Sequence, residues 1–113
     1  MSNGTVVFIA TDRLGAGDDE LGAALLLAAV GALGRLDPPP SSVLFMNAGV
    51  KLCAPGAKAL RDLRELAAGG TDLVCCGTCL DWFGLRETLA VGRPSNMTEI
   101  LALQHAAARV IRL

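Results

Sequence analysis

Three short runs dominate the sequence: TVVFIA at 5–10, SVLFMN at 42–47 and TDLVCC at 71–76. Each is apolar at nearly every position rather than at every second one, the pattern of a strand buried on both faces. Between them lie stretches long enough for helices, so strand and helix alternate strictly. That alternation predicts an α/β fold with a mostly parallel sheet covered by helices on both faces. A last run, RVIRL at 109–113, and a weaker one, ETLAVG at 87–92, bring the expected count to about five strands.

The intervening helices carry their own punctuation. Asp18 or Asp19 is placed to cap a first helix over about 19–35, which the proline run LDPPPSS then stops. Its apolar residues, LGAALLLAAVGALG, go nearly all the way round, which predicts burial against both the sheet and a partner subunit. A second helix follows a loop at 48–53, with Pro55 in its first turn, Leu60, Leu63, Leu66 and Ala67 at helical spacing, and Gly69 and Gly70 at its end. GTCLDWFGL reads as a tight turn with one short helix. NMTE is a capping box on Asn96 and Glu99 that opens a last helix through about Ala108.

With 113 residues, 52% of them hydrophobic and 19% charged, the chain has material for a single domain over 1–113 and too few charges for disorder. A formal net charge of −1 provides no basic footprint for nucleic acid or an anionic membrane surface. Leu21–Gly34 falls short of the ~20 residues that span a bilayer. The N-terminus shows no basic start and no small-residue cleavage pattern, so the expected compartment is the reducing cytoplasm. There, four cysteines read as a reactive pair, a metal site or packing sooner than as structural disulfides.

Ligands of open α/β sheets bind beyond the carboxyl ends of the strands, here the loops at 11–18, 47–54, 76–82 and 92–96. VCCGTC, at 74–79, puts a C-x-x-C on that edge, with its second cysteine in the first turn of the following helix. Amides at a helix start favour a thiolate, and the first sulfur of such a motif is usually the more acidic, so Cys76 is the expected nucleophile and Cys79 its resolving or sharing partner. Gly77 allows the tight bend, and Thr78 is placed to cap the short helix or to donate to a bound sulfur anion. Asn47 and Asn96, in neighbouring edge loops, complete the expected substrate-binding set. Cys75 points to the opposite face as packing, and Cys53 sits in a different edge loop.

Other chemistries fit less well. Structural zinc wants four ligands, and adding Cys53 and the sole histidine, His105, would require a residue late in its helix to reach the edge loops. His105 has no evident acid partner and is assigned no role, which leaves Cys-His hydrolysis without a base. GAGDDELG lacks the third glycine of a dinucleotide fingerprint, Glu20 standing in its place, and Asp18 and Asp19 would repel phosphate. No metal and no cofactor is called for.

The segments NAGVKLC, CGTCLDWFGL and VGRPSNMTEI, in this order, resemble the DsrE/DsrF-like family, nearest to a domain found in a selenium-metabolism protein. The resemblance implies a three-layer α/β/α fold with a parallel five-strand sheet and homo-oligomers, trimers or hexamers. It further implies a sulfur or selenium carrier that accepts sulfur as a persulfide, the acceptor mapping onto Cys76 and the second cysteine of the C-G-T-C subset onto Cys79. The implied partner is a sulfur-donor protein, such as a TusA-like carrier or a cysteine desulfurase. The competing reading is a non-catalytic oligomeric or small-molecule-binding module whose cysteines pack or sense oxidants.

Overall fold

The computed structural model describes residues 4–113; residues 1–3, on which part of the N-terminal reading rests, lie outside them. The apolar runs form strands β1 (Thr5–Ile9), β2 (Ser42–Phe45) and β3 (Asp72–Cys76), joined by β4 (Arg93–Ser95) and β5 (Arg109–Arg112). All pairings are parallel, in the order β4-β3-β2-β1-β5. Helices α1 (Asp19–Leu33), α2 (Leu60–Ala68), α3 (Gly77–Trp82) and α4 (Met97–Ala106) connect them, with 3₁₀ helices at Asn47–Cys53 and Arg86–Thr88.

Register explains why the strand runs are apolar throughout. Val7, Val43 and Leu73 share a row on one face, and Ile9, Phe45 and Cys75 continue it. That face packs against Leu26, Val30 and Leu33 of α1 and Leu63 and Leu66 of α2. The other face, with Val6, Leu44, Val74 and Cys76, is covered by Ile100 of α4. Two separate cores thus lie on either side of the sheet, as the three-layer expectation requires.

Local chemistry sets the helix bounds. Asp18 caps α1, its Oδ1 accepting the Leu21 N–H at 2.8 Å, and Asn96 caps α4 by accepting the Glu99 N–H at 2.9 Å. The Glu99 carboxylate does not close the box; it turns to Ser95 Oγ and to the Arg93 guanidinium, which also grips Asp72 through two bonds of 2.9 and 3.0 Å. These bonds tie α4 and β4 to the start of β3.

Four expectations are corrected. Pro55 does not enter α2, which begins at Leu60; the chain first turns through 55–59, with Ala57 N–H bonded to Ala54 O at 3.1 Å. The segment at 48–53 is not a loop but part of a 3₁₀ helix. ETLAVG forms no strand: Arg86–Thr88 is 3₁₀ and the Ala90 N–H is taken by Cys53 O, so the fourth strand is the polar RPS that follows. α4 ends at Ala106, since the Ala108 N–H bonds to Gly4 O to start β5.

Gly49 is where the first 3₁₀ helix crosses the carboxyl end of β1. A Cβ there would stand 2.2 Å from Ile9 O, a collision with backbone that no side-chain motion relieves. The sheet edge and the loop carrying Asn47 are thereby held together.

Candidate functional site

Cys76 ends β3 and is the N-cap of α3, while Cys79 sits on the first turn of α3. The two sulfurs differ sharply in access. Cys76 is 4% exposed, packed with Val6, Leu44, Val74 and Ile100. Cys79 is half-buried and lines a cavity of about 230 Å³ together with Asn47, Thr78, Trp82 and Phe83. The sequence leads one to expect Cys76 as the presented thiol; in the fold the sulfur at the opening is that of Cys79.

Asn47 holds this arrangement through its backbone. Its φ of 50° places it in the left-handed region, which asparagine tolerates better than most residues. The turned amide donates to Cys79 Sγ at 3.1 Å. Burial pushes the Cys79 thiol up from its ordinary 9.0, the hydrogen bond with Cys76 adds to this, and the Asn47 N–H works in the opposite direction without reversing it. The short helix therefore does not deliver a thiolate at Cys79 at neutral pH.

Gly77 is required by close approach rather than by a positive φ. A Cβ there would lie 2.7 Å from Arg86 Nη2 and 2.8 Å from Ser95 O. Arg86 is held over the turn by two bonds to Asp81, at 2.7 and 3.1 Å. Thr78 lines the cavity but makes no capping bond, because the N-cap position belongs to Cys76. Asn96 uses its side chain to cap α4 and does not line the cavity.

Cys53 and Cys75 form a second pair, on the opposite face of the sheet. Both are fully buried, and the Cys53 thiol is driven well up, first by its hydrogen bond with Cys75 and then by burial. The Cys53 sulfur stays protonated, and both sulfurs are sealed in the core. Among the described residues no group of three or more His, Cys, Asp or Glu side chains converges as a metal site would need. Nor is any of their helices long and apolar enough to cross a membrane.

Sequence reasoning assigned no site role to Trp82, Phe83 and Lys51. Trp82 stands one helical turn after Cys79, a spacing that could have flagged it; Lys51 Nζ lies 4.6 Å from the Phe83 ring centroid, a contact between segments far apart in sequence. A cavity of about 640 Å³ lies elsewhere, between α1 and α2; no cysteine lines it, and its walls combine small residues such as Ala24, Ala28 and Gly31 with the charged Arg35, Asp62 and Glu65.

A five-strand parallel sheet with helices on both faces and a cysteine pair at its carboxyl edge defines a small three-layer α/β protein with thiols at its ligand-binding edge. The chain belongs to the DsrE/DsrF-like family, which matches it over residues 5–113 and is associated with sulfur relay in general. Among solved structures it is similar to the ychN protein of E. coli, at 20% identity and a TM-score of 0.73 over 96% of this chain and 98% of that one. It is also similar to MTH1491 of Methanobacterium thermoautotrophicum, at 23% identity and 0.69 over 96% and 97%. BT1422 of Bacteroides thetaiotaomicron aligns at 15% identity and 0.67 over 98% and 96%. Identities this low establish the shared fold. No curated protein matches the chain.

Proposed function

We propose that the protein is a sulfur carrier in which Cys79 receives sulfur and Cys76 holds it. The observation that carries this reading is the packing of a half-buried sulfur at a cavity against the cluster that buries a second one, both at the sheet edge. The Cys79 thiol gives up its proton as its sulfur attacks the outer sulfur of a donor persulfide; its Sγ–S bond forms as the donor S–S bond breaks, and the donor departs as a thiol that carries the proton Cys79 lost. Cys76 then attacks the terminal sulfur of the Cys79 persulfide, restoring the Cys79 thiol and moving the sulfur behind it. Both steps conserve oxidation level. Burial then shields a reactive, acidic persulfide from water and stray thiols.

Return runs the same exchange outward to an acceptor thiol. The donor is a sulfur-bearing protein such as a TusA-like carrier or a cysteine desulfurase, and selenium can follow the same path as sulfur. The working form is a homo-oligomer, supported by Leu21 and Leu25, which α1 leaves exposed, and by Leu101 and Met97 on α4.

The test is mass spectrometry of reduced protein after incubation with a persulfide donor. Wild type gains one sulfur, and Cys79→Ser gains none. Cys76→Ser gains it at Cys79 and loses it faster to added thiol. Unimpaired loading of Cys79→Ser would remove the entry role, and no adduct on wild type would remove the function.

A further inference from the structure

The cavity beside Cys79 measures about 230 Å³, below the ~300–1,000 Å³ of pockets that enclose a whole small molecule. It has room for the tip of a side chain. A sulfur brought on such a tip arrives with a large body that stays outside, and that body must rest on the cavity rim.

Trp82 forms that rim. It is the chain's sole tryptophan, 84% exposed, three residues after Cys79 on the same face of α3, and it lines the same cavity. Tryptophan is among the residue types most enriched at the energetic centres of protein interfaces. Its surroundings are fixed: Phe83 is partly buried beneath Lys51, and the neighbouring Asp81 carboxylate is engaged by Arg86. An incoming persulfide anion therefore meets an aromatic edge and not a free carboxylate.

We infer that Trp82 is the docking anchor for a protein that carries transferable sulfur as a cysteine persulfide, its indole meeting the carrier's surface while the persulfide tip enters the cavity. This rests on the sulfur-transfer reading above, in which the donor is a protein, and adds the residue on which that protein docks. The chemical step is the exchange already written, with the carrier leaving as its free thiol.

The experiment compares two donors on full-length wild type, Trp82→Ala and Trp82→Phe: a cysteine desulfurase loaded with its own persulfide, and inorganic polysulfide. Initial rates of sulfur addition are read by mass spectrometry. Trp82→Ala is expected to slow loading from the desulfurase roughly thirtyfold, the fold-change of an interface hot spot, with a smaller loss for Trp82→Phe. Loading from polysulfide, which brings no protein surface to the rim, is slowed no more than about threefold, so the ratio of the two slowings is the readout. Equal slowing with both donors, or no slowing with either, overturns the inference. So does a wild type that loads from polysulfide but not from the desulfurase, which leaves the sulfur-carrier reading standing. A wild type that loads from neither removes that reading itself. Light scattering closes the remaining route: if Trp82→Ala dissociates an oligomer, the indole joins copies of this chain and the docking role is overturned.

Discussion

Two residues decide the character of the cysteine edge. Burial leaves Cys79 protonated at neutral pH, its pKa raised above the ordinary 9.0. A raised pKa means less thiolate at any given pH, so alkylation by iodoacetamide is expected to be slower at pH 7 than for a free cysteine and to climb about tenfold per pH unit until past 9. A rate profile with its midpoint below 9 contradicts this. Cys53 and Cys75 should remain unlabelled throughout unless the protein is unfolded, as peptide mapping would show. Asn47 is the second deciding residue, because its left-handed backbone aims the amide at Cys79. Asn47→Val forces a β-branched residue into that conformation and is expected to cost about 1–2 kcal/mol by denaturant unfolding, with Asn47→Gly nearly neutral.

At the scale of elements, the edge depends on how segments cross and how they are tied. Gly49→Ala drives a methyl into the Ile9 carbonyl, so the 3₁₀ helix and β1 must part. A loss of ~3 kcal/mol or more in unfolding free energy is expected, measured by urea titration, with sulfur loading impaired as Asn47 moves. The tie between β4 and α4 has a pH signature. Arg93 and Ser95 hold Glu99 at a pKa of about 2 against its ordinary 4.5. A depressed carboxylate contributes stability that is complete above 4.5 and is lost as pH falls toward about 2. Glu99→Gln should therefore flatten the decline of the thermal midpoint between pH 4.5 and 2, and an unchanged slope would show that the tie contributes nothing.

For the whole molecule, the sheet is covered on both faces, yet α1 leaves Leu21 and Leu25 in water and α4 leaves Leu101. The expected outcome is a solution mass that is a multiple of 11.6 kDa by light scattering, reduced by Leu25→Glu. The layered parallel sheet was legible in the sequence because a strand buried on both faces must be apolar at every position. β4 was not, since Arg93–Ser95 owes its place to pairing with Val74–Cys76 and to the Arg93 ion pairs, neither of which leaves an apolar pattern. The C-x-x-C and its place at the end of β3 were equally readable, because both are local properties of one short segment. Which sulfur faces the opening was not. That outcome depends on the phase of α3 against the sheet and on an Asn47 amide brought from 32 positions away. Periodicity and turn chemistry act over a few residues and so determine elements and their order. The exposure of a thiol and the strength of its acid are set by whatever distant segments pack around it, and only the tertiary structure brings those together.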